Sequence, residues 1–125
     1  MRLLLDTHIV IWCVDDDPKL SAAAWSMIEA ADAVYVSSAS LWEAAIKHRL
    51  GKLAVEPERL AAAVTASGFL ELPITFAHAV AVGRLSAHHR DPFDRMLIAQ
   101  AISEPLHLLT ADPQLVPYSE LVRQV

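Results

Sequence analysis

Short apolar runs, each closed by a polar or acidic residue, recur along this chain and restrict its fold more than any other feature. Arg2 to Leu5 halts at Asp6, and Ala33-Val34-Tyr35-Val36 halts at Ser37-Ser38. Phe69 to Leu72 and Leu106 to Leu109 are two further runs of this kind. Such runs suit strands buried on both faces, the pattern of a parallel sheet covered by helices. Helical spacing fills the intervals. Leu20, Ala24, Met27, Ile28 and Ala31 repeat behind Asp17-Pro18, which reads as a helix start. Trp42, Ile46 and Leu50 form a stripe behind a capping box of Ser40 and Glu43, with Gly51 where a C-terminal cap belongs. Helices are also expected over 57–67, over 75–85, and from Asp91-Pro92 to about Ser103. Asp112-Pro113 reads as a turn or a short helix start. The expectation is an α/β fold, one domain over 1–125, with a mostly parallel sheet and helices on both faces.

Composition excludes several function classes. With 54% apolar and 20% charged residues the chain is no disordered segment. The single cysteine, Cys13, excludes an intrachain disulfide and a thiolate metal cluster, and fits a reducing, cytoplasmic setting. No apolar run approaches the ~18 residues of a membrane span, and Leu3-Leu4-Leu5 is too short for a secretory signal. The net charge of −5 is a poor balance for binding nucleic acid through bulk electrostatics. The apolar excess leaves two readings open: a well-filled α/β core, or a surface covered by a partner or second copy.

The acids are not scattered. In open parallel sheets ligands bind outside the carboxyl ends of the strands. Asp6 ends the first strand, Glu43 lies in the first turn of the helix after the second, and Asp112 follows the fourth. Asp91 and Asp94 head a helix that starts at the same edge if it packs antiparallel to the strands. Each has a structural alternative: a strand end, a capping box with an i,i+4 partner in Lys47, a helix cap, or a turn. Together they are costlier to explain. Two carboxylates ~4 Å apart repel by about 1 kcal/mol in water and about 4 kcal/mol at an effective dielectric of 20. A hard divalent ion with oxygen ligands, Mg²⁺ or Mn²⁺, is the usual remedy. No Cys/His spacing supports zinc and no glycine-rich loop supports a nucleotide cradle.

The motifs L-L-L-D-T-H at Leu3 to His8, S-L-W-E-A-A-I-K at Ser40 to Lys47, H-R-D-P-F-D-R-M-L-I-A-Q-A at His89 to Ala101, and L-L-T-A-D at Leu108 to Asp112 resemble the PIN-domain nucleases, in particular the VapC-type toxins of prokaryotic toxin–antitoxin pairs. The resemblance implies a parallel sheet of about five strands and Mg²⁺- or Mn²⁺-dependent endoribonuclease activity that leaves a 5′-phosphate. It also implies a homodimer and a cognate antitoxin whose C-terminal segment blocks the site. Asp6 matches the first metal-binding aspartate, Glu43 the second acid, Asp94 the aspartate heading the late helix, and Asp112 the less constant fourth acid. Asp91 is an extra acid, read as a cap first. On this pattern Asp6 and Asp94 hold the main ion, Glu43 ligates it or orients the attacking water, and Asp112 supports a second ion or acts through water.

Basic residues flank these acids: Lys47, Arg49 and Lys52 follow Glu43, while Arg84, Arg90 and Arg95 bracket the Asp91–Asp94 pair. They are candidates for holding an RNA backbone or, alternatively, form a solvated face in which Lys47 and Arg95 neutralise nearby acids. Trp12, Trp25, Trp42 and the Ile9–Val14 stripe suit a core or a dimer interface. The rival of another class is a non-catalytic PIN-like interaction domain whose acids only cap helices. A phosphoryl-transfer enzyme with an aspartate nucleophile ranks below both, since His8 stands where its second aspartate belongs.

Overall fold

The computed structural model describes residues 1–87 and 91–125. Five strands, β1 (Arg2–Leu5), β2 (Ala33–Ser37), β3 (Leu70–Leu72), β4 (His107–Thr110) and β5 (Val122–Gln124), form one sheet in the order β3-β2-β1-β4-β5. Every pairing is parallel. The helices are α1 (Thr7–Val14), α2 (Ala22–Ala30), α3 (Ser38–Arg49), α4 (Pro57–Ala66), α5 (Phe76–Val82) and α6 (Pro92–Ser103), with a 3-10 helix over Pro113–Tyr118.

Alternation along β1 builds two cores. Leu3 and Leu5 point into one with Ile9, Val10, Ile28, Leu60 and Val64 from α1, α2 and α4. Leu4 points into the other with Leu97, Ile98 and Ala101 of α6 and Leu115 of the 3-10 helix. All three leucines are 0% exposed, so β1 is apolar throughout because both of its faces are covered. Helix α3 straddles the layers, giving Ala44 to the first core and Ala39 to the second. The expected α/β architecture with helices on both faces is what the chain adopts.

Three expectations need correction. Helix α2 begins at Ala22 rather than at Pro18, because the Ser21 hydroxyl caps the Ala24 N–H at 3.1 Å. Asp17 instead accepts from Lys19 N at 2.9 Å and makes a turn. In α3 the N-cap is Ser37, whose Oγ accepts from Ala39 N at 3.0 Å. Ser40 therefore lies inside the first turn and Glu43 in the second, so the two form no capping box. The 57–67 and 75–85 helices are trimmed to Pro57–Ala66 and Phe76–Val82. Gly51 does end α3 as expected, at φ +74°, with its N–H on His48 O at 3.0 Å.

Chain order reverses beside β1. From β1 the sheet grows through β2 and β3 on one side, then through β4 and β5 on the other. The carboxyl ends of β1 and β4 thus border the crevice where α/β sheets place their ligands. Asp6 N bonds to Leu109 O across this boundary at 3.0 Å.

Candidate active site

Asp6 stands at that crevice. As N-cap of α1 it accepts from Ile9 N through Oδ1 at 3.1 Å, and its Oδ2 accepts from Thr110 Oγ1 at 2.5 Å. Thr110, the last residue of β4, is fully buried and its hydroxyl also accepts from Asp112 N at 3.1 Å. One threonine therefore joins the first and fourth acids. Asp6 is only 4% exposed, and this burial pushes its carboxyl above the ordinary carboxylate range. The bonds from Thr110 and Ile9, and the electrostatic influence of His8, oppose the rise without cancelling it.

Two contacts just ahead of Glu43 in the chain tie α3 to α1 and to α6. Thr7, next to Asp6, donates from Oγ1 to Ser40 Oγ at 3.0 Å, a buried bond that ties the start of α1 to α3 one turn before Glu43. Trp42 and Phe93, the chain neighbours of Glu43 and Asp94, meet edge to face with ring centroids 5.0 Å apart. The second turn of α3 and the first turn of α6 are thereby held together. Glu43 is 5% exposed; its Oε2 pairs with Lys47 Nζ at 2.8 Å, one turn on, while Oε1 is buried and has no hydrogen-bond partner among the described residues. A buried, unsatisfied carboxylate oxygen is costly, so this group is suited to accept a further donor or a cation.

Asp94 is the third residue of α6 and is half-buried. Asp91 is the helix cap, accepting from Phe93 N at 2.9 Å and Asp94 N at 3.1 Å through one oxygen. Asp112 caps the 3-10 helix through Gln114 N at 2.9 Å. It lines, with Asp6, His8, Trp12, Ala111 and Pro113, an open depression of about 400 Å³. Among the described residues no three His, Cys, Asp or Glu side chains are drawn close enough to hold a metal ion as a group. In this arrangement Glu43 leans on Lys47 and Asp6 on Thr110.

The basic residues divide. Lys47 is engaged with Glu43. Arg95 donates to Ser86 O at 2.9 Å, Val82 O at 3.2 Å, Leu85 O at 3.4 Å and Tyr118 Oη at 3.3 Å, which anchors the end of α5 to α6. Arg49 ends α3 and Lys52 follows it, and both are exposed. The helix rise puts Arg49 about 9 Å further from the carboxyl edge than Glu43. Arg90 lies outside the described residues. Thr110, Ser37 and the Thr7–Ser40 pair are not marked as site residues by the sequence, although L-L-T-A-D contains the first of them; a threonine closing a strand reads as strand chemistry until the partner across the sheet is known.

The PIN domain family matches residues 3–120 of the chain. "Ribonuclease VapC22" of Mycobacterium tuberculosis is 33% identical over 124 residues, spanning 90% of this chain and 88% of the relative. Among solved structures, VapBC2 from Rickettsia felis bound to a promoter DNA fragment superposes with a TM-score of 0.73 at 16% identity, covering 99% of this chain and 98% of that one. DNA-bound VapBC from Salmonella typhimurium follows at 0.69 and 20% identity, covering 100% and 97%.

Proposed function

Because the chain belongs to the PIN-domain family, we propose that it is a divalent-metal-dependent endoribonuclease, the toxin of a toxin–antitoxin pair. The relative named a ribonuclease and the two VapBC neighbours support this reading. The observation that carries it is the state of two acids that follow the carboxyl ends of β1 and β2. Asp6 is buried with its pKa raised, and Glu43 keeps a buried oxygen without a partner among the described residues. Both are costly in isolation and both suit a hard cation.

Asp6 and Asp94 are the residues to hold that ion, Mg²⁺ or Mn²⁺. When bound, it lowers the pKa of a coordinated water and offsets charge on the phosphate oxygens. Thr110 fixes the Asp6 carboxyl through Oδ2 and leaves Oδ1 on the α1 cap. Glu43 would give up Lys47 to hold the ion or to orient the attacking water, whose proton Oε1 would accept. Asp112, on the shared threonine, would support a second ion or act through water. The released Lys47, with Arg49 and Lys52, faces the RNA backbone, and these contacts supply the attraction that the net charge of −5 does not. The partners are a cognate antitoxin and a second copy of the chain. The exposed Trp42, Ile74, Phe76 and Val80 are the apolar surface available for such association.

The capping duties of Asp6, Asp91 and Asp112 favour one other reading, a PIN-like interaction domain without catalysis. Incubating the protein with an RNA pool decides between them. Cleavage that requires Mg²⁺ or Mn²⁺ and is lost in Asp94→Asn supports the nuclease. Equal cleavage under chelator, or no cleavage, overturns it.

A further inference from the structure

We infer that the depression beside Asp6 and Asp112 is a nucleobase subsite, in which a base flanking the scissile phosphate stacks on Trp12 with His8 at its side. The inference rests on the nuclease reading and names a part of the substrate that the acids do not touch. His8 and Trp12 are four residues apart on α1 and so share one helix face. Their ring centroids lie 5.9 Å apart with planes at 36°. At that separation the rings already contact each other, so a base lies against their outer surface and not between them. Trp12 is half-buried: one part of the indole packs on the core beneath α1, which fixes the ring, and another lines the depression. His8 is exposed and is not needed by that core.

Charge favours a base over other occupants. Among the described residues the depression is lined by Asp6, His8, Trp12, Ala111, Asp112 and Pro113, with no lysine or arginine. Phosphate pairing therefore supplies no affinity at this spot, and an acidic peptide is repelled by the two aspartates. Stacking on an aromatic ring is available to every base, needs no positive charge, and weakens binding ~5- to 100-fold when the ring is removed. The base and the acids share one cavity, which is what a nucleotide with its phosphate at Asp6 requires.

The test measures binding of a short RNA oligonucleotide to the Asp94→Asn protein, in which cleavage is expected to be lost. The same background then carries Trp12→Leu, Trp12→Phe or His8→Ala. Trp12→Leu is expected to weaken binding roughly 5- to 100-fold with the slope against salt unchanged, because no phosphate contact is lost. Trp12→Phe restores most of the loss, and His8→Ala, at an exposed position, gives a smaller loss without touching the core. Replacing one nucleotide of the oligonucleotide by an abasic residue reproduces the Trp12→Leu loss and adds nothing in that variant. If Trp12→Leu and His8→Ala bind as tightly as their parent, the subsite is refuted while the nuclease stands. The subsite is equally refuted if the two variants impair only association with a protein partner. If the parent binds no RNA and the original chain cuts none, the nuclease reading fails and takes the subsite with it.

Discussion

The two ends of β1 carry charge in opposite ways. At its start the N-terminal amine of Met1 pairs with Asp32, just before β2, on an exposed part of the surface. Hydrogen bonding and the charge of that amine hold the Asp32 carboxyl below the ordinary range. At the other end burial holds Asp6 above it. The same residue type, on one sheet, is comfortable at the amino edge and costly at the carboxyl edge. Stability alone favours the first arrangement; the second is the kind of cost that functional sites carry. A second cost lies in α3, after the carboxyl end of β2, where Glu43 has a buried oxygen with no hydrogen-bond partner among the described residues.

Breaking the contrast at its expensive end has the largest effect. Asp6→Asn is expected to lower RNA cleavage by on the order of 10²–10³-fold or more, while melting of the metal-free variant at neutral pH occurs at or above the original temperature. Loss of activity with equal loss of stability shows that Asp6 serves the fold alone. Thr110→Val comes next. It removes the hydroxyl that steadies Asp6, with a roughly 10- to 100-fold loss of metal affinity. Since that bond lowers the Asp6 pKa, the acid limb of the pH–activity profile moves to higher pH, and Thr110→Ser restores it.

Lys47→Met strips Glu43 of its ion-pair partner and destabilises the metal-free protein by about 1–3 kcal/mol in denaturant titrations. Added Mg²⁺ or Mn²⁺ recovers part of this, and Glu43→Gln in the same chain recovers it without metal. The smallest effects sharpen the comparison through pH. The folded state binds a proton on Asp6 more tightly than the unfolded chain, so the Asp6 contribution is full at acid pH and is lost as pH rises through its raised folded pKa. Asp32 has the opposite sign: its contribution is present above the ordinary carboxylate range and is lost as pH falls through its lowered pKa. Melting curves against pH for Asp6→Asn and Asp32→Asn should differ from the original in opposite directions. The Asp32 change, fully exposed, is the weaker, fades with added salt and leaves cleavage intact.

Much of the site is legible in the sequence because local chemistry and global position coincide there. Asp6 both ends an apolar run and caps the next helix, and Asp91-Pro92 opens a helix in any context. The start of α3 is illegible for the opposite reason. Ser37, Ser38 and Ser40 are all adequate caps locally, and only the end of β2 selects Ser37. Once Ser37 caps, the Ser40 hydroxyl is released to meet Thr7, a contact between residues 33 apart that no local pattern encodes. Strand β5 carries no signal at all: Val-Arg-Gln at a sheet edge buries only Val122. Arg95 reads as a phosphate ligand by charge and neighbourhood, yet its direction is set by the carbonyls that close α5.

The central claim is that the carboxyl edge keeps two acids buried at a cost a cation would relieve, Asp6 with its pKa raised and Glu43 with one oxygen unsatisfied among the described residues. Calorimetric titration of the metal-free protein with Mn²⁺ at neutral pH tests it without any substrate. Saturable binding that releases protons, is lost in Asp6→Asn and is weakened in Glu43→Gln is the predicted result. Binding that is absent, or that survives unchanged in both variants, contradicts it.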